Sequence, residues 1–217
     1  MNKINYQKQL DQIISEIPPQ KEARPSLFLH SCCAPCSSYV LEYLTKFFKI
    51  TIFFFNPNIT EEREYRKRTG EMKRLIHEAG YEDDVSFVEG EYHPEDFFAM
   101  AKGMEDLPER GMRCYHCYRL RMEETARNAA LAKADYFTTT LSISPHKNAR
   151  WINEIGEELA LKYGVAHLPS DFKKKGGYLR SIALSEKYHL YRQDYCGCIF
   201  SKQARDERHR ENTRRNR

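Results

Sequence analysis

Two hydrophobic periods share this chain. Over residues 6–17, Leu10, Ile13, Ile14 and Ile17 recur at helical spacing, and Pro18-Pro19 stops the helix. A polar linker, residues 20–25, leads to the apolar run Leu27-Phe28-Leu29-His30, which predicts a buried strand. Tyr39-Val40-Leu41-Glu42-Tyr43-Leu44 predicts a helix after it. Ile50-Thr51-Ile52-Phe53-Phe54-Phe55 is apolar on nearly every position, as in a parallel strand covered on both faces. Asn56-Pro57-Asn58 ends it, and Thr60-Glu61-Glu62-Arg63 predicts an N-cap with acidic residues in the first turn of a helix closed by Gly80.

Val85-Ser86-Phe87-Val88 predicts a third strand, and residues 95–101 a brief helix. A loop runs to Arg113, with helical propensity over residues 118–133. Tyr136-Phe137-Thr138-Thr139-Thr140-Leu141 is β-rich, and Ser142-Ile143-Ser144-Pro145-His146-Lys147 is a loop beyond it. Residues 148–163 predict a helix with Trp151, Ile152, Ile155 and Leu159 on one face. Val165-Ala166-His167-Leu168 predicts a fifth strand, and residues 181–188 a short helix. Strand and helix alternate throughout, the pattern of an α/β, doubly wound parallel sheet. Residues 1–200 are expected to form one domain, followed by a basic helix or tail over 201–217.

Composition changes this picture little. The chain has 217 residues, 41% of them hydrophobic and 30% charged, enough for one good core. No apolar run approaches the roughly 20 residues of a membrane span, and no apolar signal segment follows Met1-Asn2-Lys3-Ile4-Asn5. A cytoplasmic protein with reduced thiols is expected. The formal charge is +4, and residues 201–217 carry seven Lys/Arg against three Asp/Glu. That tail is either a solvated helix end or an electrostatic handle for nucleic acid.

The candidate chemistry lies in the cysteines. All seven fall in three tight groups: Cys32, Cys33 and Cys36 on a strand-to-helix turn, Cys114 and Cys117, and Cys196 and Cys198. Buried apolar thiols explain such grouping poorly. A dithiol or disulfide site is possible for one Cys-x-x-Cys, but three groups exceed what one such reaction needs. Metal ligation explains all three, because short spacings bring two sulfurs to one centre at little entropic cost. Four plus three thiols permit a 4Fe–4S cluster and one further metal. Structural zinc is the rival.

Several motifs together resemble the epoxyqueuosine reductases of the QueH type. They are His30-Ser31-Cys32-Cys33-Ala34-Pro35-Cys36, Phe54-Phe55-Asn56-Pro57-Asn58-Ile59 with Glu64, Tyr65 and Arg68, and Arg113-Cys114-Tyr115-His116-Cys117-Tyr118-Arg119-Leu120-Arg121. The others are the run Thr138 to Lys147 and Tyr191-Arg192-Gln193-Asp194-Tyr195-Cys196-Gly197-Cys198. The resemblance covers roughly residues 26–201. It implies an adenine-nucleotide α-hydrolase-like fold of the HUP type with a metal-binding C-terminal region. It implies a 4Fe–4S cluster beside a second metal ion, iron or zinc. The implied reaction reduces epoxyqueuosine to queuosine at the wobble position of transfer RNA with a GUN anticodon, using an external electron donor. ATP-using relatives of that fold carry a Gly-rich loop where Ser31-Cys32-Cys33-Ala34-Pro35 stands here, so ATP hydrolysis is not expected. The resemblance also implies an aspartate at the Cys36 position in part of the family. A thiol there favours iron or zinc over a hard cation.

Epoxide-to-alkene reduction consumes two electrons and two protons and releases water. No G-x-G-x-x-G follows a strand, so no nicotinamide or flavin fingerprint is present. Cys114, Cys117, Cys196 and Cys198 are assigned to the cluster, and Cys32, Cys33 and Cys36 to the second metal, with an interleaved arrangement left open. Tyr115, His116 and Asp194 are the candidate proton donors, and Ser142, Ser144 and Lys147 the candidate substrate contacts. Lys173-Lys174-Lys175, Arg119, Arg121 and the tail arginines are candidate phosphate contacts. Tyr115, Tyr118, Tyr191 and Tyr195 could stack a splayed base. The rival functions are an iron–sulfur enzyme transferring sulfur to transfer RNA and a zinc-stabilised RNA-binding protein.

Overall fold

A computed structural model describes residues 4–18, 20 and 23–215. Residues 1–3, Pro19 of the expected helix stop, Lys21 and Glu22 of the expected linker, and the last two residues of the basic tail lie outside the described residues.

The N-terminal helix α1 (Tyr6–Glu16) starts at Asn5, whose side chain accepts from the Lys8 amide at 3.2 Å. It is followed by β1 (Ser26–His30), α2 (Ala34–Leu44), β2 (Lys49–Phe54), α3 (Glu62–Glu78), β3 (Val85–Glu89) and α4 (Pro94–Ala101). The second half holds α5 (Met112–Leu131), β4 (Tyr136–Thr139), a 3-10 turn (Thr140–Ile143), α6 (Ala149–Tyr163), β5 (Ala166–His167), α7 (Gly177–Lys187) and α8 (Ile199–Arg215).

Helices α2 and α7 start earlier than expected, at Ala34 and Gly177, and two further boundaries move for physical reasons. Thr60 does not cap α3, because Glu61 occupies the N-cap position and the Thr60 amide donates instead to the Gly197 carbonyl at 3.2 Å. Helix α5 begins at Met112, several residues before the propensity run. Cys114 and Cys117 therefore lie inside a helix, one turn apart on a shared face.

The five strands are all parallel, in the order β3-β2-β1-β4-β5. Successive residues of a strand face opposite sides. Leu27 and Leu29 of β1 join Ile50, Ile52 and Phe54 of β2 in a core closed by α1, α2 and α3. Phe28, Phe53 and Phe137 face the other way, onto Met122, Ala126 and Ala129 of α5 and Ile152, Ile155 and Leu159 of α6. Helices thus cover both faces, as the near-continuous apolar strands require. Each fully buried Leu, Ile or Phe contributes ~1.5–3 kcal/mol.

In this strand order β1 and β4 lie side by side, with β2 following β1 in one direction and β5 following β4 in the other. The chain diverges there, and the two loops at the carboxyl ends of β1 and β4 part to leave a crevice.

Candidate metal and substrate site

The crevice is framed first by uncharged hydrogen bonds. His30 ends β1 opposite Thr139 of β4. Its Nδ1 lies 2.7 Å from the Thr139 hydroxyl and its Nε2 3.1 Å from the Phe55 carbonyl. A carbonyl only accepts, so Nε2 carries the proton and Nδ1 accepts from Thr139. Burial, and then the nearby Arg121 charge, pull the imidazole down to about 3 and keep it neutral. Asn56 donates to the Ser31 carbonyl at 2.8 Å, fixing the β2 loop against the β1 loop.

The turn after β1 carries Cys32, Cys33 and Cys36 into the first turn of α2, with Cys33 at the N-cap. Their sulfurs all lie within 4.8 Å of one another, and Cys32 and Cys33 are 3.8 Å apart. All seven cysteines are free thiols. Hydrogen bonds from Cys33 and Cys36 draw the Cys32 thiol well below the usual range, and the Lys147 ammonium helps. Burial pushes Cys33 up to about 12, and sharing its hydrogen with Cys32 pushes Cys36 up as well. One thiolate held among thiols at a helix N-terminus is the arrangement a thiophilic metal ion displaces protons from.

Cys114 and Cys117 reach the crevice from α5. Cys117 is buried, and burial raises its thiol to about 12 while Cys196, Cys198 and Cys114 bear on it electrostatically. Cys196 and Cys198 come from the segment between α7 and α8, which has no strand or helix of its own. It is held by α3 instead. Buried Arg68 binds Glu64 at 2.7 Å and donates to the Cys196 carbonyl at 3.0 Å and the Tyr195 carbonyl at 3.4 Å. The Tyr191 amide donates to Glu71 at 2.8 Å, its hydroxyl donates to Glu64 at 3.1 Å, and Arg74 donates to the Tyr188 and His189 carbonyls. Gly197 has φ +121°, and a Cβ there would sit 2.9 Å from Ile59 Cγ1. Only glycine fits between the two cysteines.

Cys32, Cys36, Cys114, Cys117, Cys196 and Cys198 line one cavity of about 610 Å³, and Cys33 lies directly behind Cys32. The donor set fits a soft metal, because thiols from three distant stretches converge and the compact triad contains no carboxylate or imidazole. Cations balance them. Burial alone would lower the Lys147 ammonium, but the Cys196, Cys32 and Cys36 charges outweigh it and raise it.

The other expected residues divide. Ser144, Lys147 and Asp194 line the cavity. Asp194 Oδ1 accepts from Arg205 at 2.6 Å. Ser142 is fully buried and off the cavity wall, 2.9 Å from the Ser170 hydroxyl. Tyr115 and His116 are not on the cavity wall. In a helix the positions between i and i+3 turn away, and the Tyr115 ring meets Trp151 of α6 edge-on at 5.5 Å. Tyr118 and Tyr195 line the cavity, whereas Tyr191 packs under Lys67, whose Nζ is 3.2 Å from its ring centre. Arg119 pairs with Glu158, Lys173 with Asp171 and Lys175 with Asp11. Arg121 is 1% exposed and unavailable to phosphates; burial overturns that expectation. Arg68, Arg110 and Arg192 were missed as cavity residues, whereas Arg208 is the expected tail arginine that reaches the wall. Arg110 and Arg192 lie in loops and carry no periodic signal. Reading the helix from Met112 would have put Arg121 on the cysteine face, seven residues after Cys114.

Fold and site define a class: a three-layer α/β protein that gathers thiol ligands at the carboxyl edge of a parallel sheet. The sequence model of the family "Epoxyqueuosine reductase QueH" matches residues 27–204. The Epoxyqueuosine reductase QueH of Streptococcus pyogenes serotype M1 is 42% identical over 201 residues, covering 92% of this chain and 78% of that protein. That of Staphylococcus epidermidis is 44% identical over 203 residues, covering 92% and 85%. That of Thermotoga maritima is 35% identical over 196 residues, covering 88% and 97%. The chain belongs to the epoxyqueuosine reductase QueH family and is an oxidoreductase. Among the described residues no helix is long and apolar enough to cross a membrane.

Proposed function

We propose that the chain reduces epoxyqueuosine to queuosine at the wobble position of transfer RNA, the last step of queuosine synthesis. The observation that carries the reading is the convergence of thiols from three distant stretches on one cavity, in a chain related to proteins named for that reaction. Cys114, Cys117, Cys196 and Cys198 hold a 4Fe–4S cluster in this reading. Cys32, Cys33 and Cys36 hold a second metal ion, iron or zinc. The mutual electrostatic influence of the first four and the compactness of the other three support that division. When bound, the cluster supplies electrons one at a time and the second metal supplies Lewis acidity.

The chain's own residues do the rest. Lys147 Nζ stays protonated among the thiolates, and it donates a hydrogen bond to the oxygen that leaves as water. Ser144 lies on the same wall and orients the substrate. Asp194 lies on the same wall, and its carboxylate, released from Arg205, takes a proton from water and passes it on to the leaving oxygen. Tyr118 and Tyr195 line the space the modified base enters, and Arg192 and Arg208 meet the phosphates around it. The electrons enter from an external donor.

Nucleoside analysis of transfer RNA from a deletion strain tests this. Accumulated epoxyqueuosine, removed by the intact gene but not by a Cys117→Ser gene, is the expected result. Normal queuosine in the deletion strain would refute the reading, and a missing thiolated base would point to sulfur transfer. A brown anaerobic preparation is expected, and a colourless one containing only zinc would remove the cluster.

A further inference from the structure

Three cations face the thiols, and they are not equivalent. Arg68 is fully engaged, with Glu64 and two carbonyls as partners. Lys147 is only half-buried and reaches from a loop. Arg121 is 1% exposed and projects from the middle of α5. Its Nε donates to the Cys117 carbonyl at 3.1 Å, and its Nη2 is buried with no hydrogen-bond partner.

A buried guanidinium with an unmatched donor is costly, because the lost hydration of that N–H is not replaced. Burial alone would lower its affinity for the proton, and ionised Cys117, Cys196 and Cys32 would overcome that, a charge that Cys117, raised to about 12, carries only when a metal takes its proton. Those three cysteines come one from each group. Arg121 thus faces all three thiol stretches at once. It also lines the cavity that they share.

We propose that Arg121 is a positioning residue for the metal–thiolate group: its Nη2 donates a hydrogen bond to a sulfur of that group, and its charge offsets the group's negative charge. The proposal rests on the reading that these cysteines hold a metal. Positive charge and N–H donors near sulfur favour the reduced, more negative form, so Arg121 raises the reduction potential of the centre. In the metal-free chain the same residue is a liability, because its donor then has no acceptor. The sign of its effect reverses when metal binds.

That reversal is the test. Arg121→Met keeps much of the packing volume and removes the charge, whereas Arg121→Lys keeps the charge. The metal-free Met variant is expected to melt above the metal-free parent. After anaerobic loading with iron and sulfide, it is expected to hold iron less tightly against a chelator and to show a lower midpoint potential. The Lys variant is expected to fall between Met and parent in both. A metal-free Met variant that melts below the parent would overturn the proposal and assign Arg121 to the scaffold. A loaded Met variant with the parent's potential and iron retention would also overturn it. A parent chain that takes up no iron would refute the metal reading itself.

Discussion

Replacing Gly197 by alanine tests how the final cysteine pair is held. The residue has φ +121°, and a Cβ would meet Ile59 Cγ1 at 2.9 Å, Arg68 Nη1 at 3.3 Å and the Ile59 Cα at 3.4 Å. Keeping the loop in place costs about 1–3 kcal/mol of backbone strain and about 1–3 kcal/mol of overpacking. The alternative is to let the loop move. That gives up the Thr60-to-Gly197 bond and the Arg68-to-Cys196 bond. One neutral and one charged hydrogen bond lost amount to about 2–4 kcal/mol. The cheaper route sets the cost, so Gly197→Ala should destabilise the chain by about 2–4 kcal/mol. Gly164→Ala is the control: its φ is +68° at the end of α6, with nothing within 4 Å of the added Cβ. Strain alone makes that change cost about 1–2 kcal/mol. Urea unfolding of both metal-free variants gives the two values, and iron content after loading gives the consequence. Gly197→Ala should lose iron, whereas Gly164→Ala should not. Equal costs, or full iron in Gly197→Ala, would refute the close-approach argument.

His167 packs against Gly156, and both its ring nitrogens are buried without partners. Burial lowers it from 6.5 to about 3, so the unfolded chain binds a proton that the folded one refuses in that window. Stability should be intact above pH 6.5 and fall towards pH 3, by up to about 1.4 kcal/mol per unit from this residue. His167→Leu should flatten that slope in acid titrations of the melting temperature, and an unchanged slope would exclude His167 as its cause. In the metal-free chain, iodoacetamide at neutral pH should label Cys32 before Cys33 or Cys117, as read by peptide mass spectrometry. Labelling of Cys33 first would contradict the assigned thiolate. Arg192→Gln and Arg208→Gln should each weaken transfer RNA binding and reduce the slope of log affinity against log salt by about 1. Unchanged slopes would place the phosphates elsewhere.

Local pattern made much of the fold legible. All five parallel strands overlap the runs that predicted them, with Ser26, Lys49 and Glu89 added at the ends of β1, β2 and β3, because the central strands are covered on both faces and stay apolar. Asn148 caps α6 and Gly164 ends it in a left-handed turn, and those boundaries needed only local chemistry. The cysteine grouping, too, was plain from spacing. The start of α5 was not legible: Met112 to Cys117 has no strong propensity, and its packing against α4 and α8 decides it, through Phe97 and Phe200 beside Cys117 and Cys198.

The sequence by itself determined which atoms are available: seven thiols in three short groups, and strands apolar enough to be buried on both faces. Tertiary structure alone decided where they meet. Strand order set β1 beside β4, α3 seized the Cys196 segment through Arg68 and Glu71, and helical rotation turned Arg121 inward while turning His116 off the wall. The physical reason is range. Periodicity and capping act over one or two turns, whereas these placements depend on hydrogen bonds and burial between residues more than a hundred positions apart, such as Arg68 and Cys196.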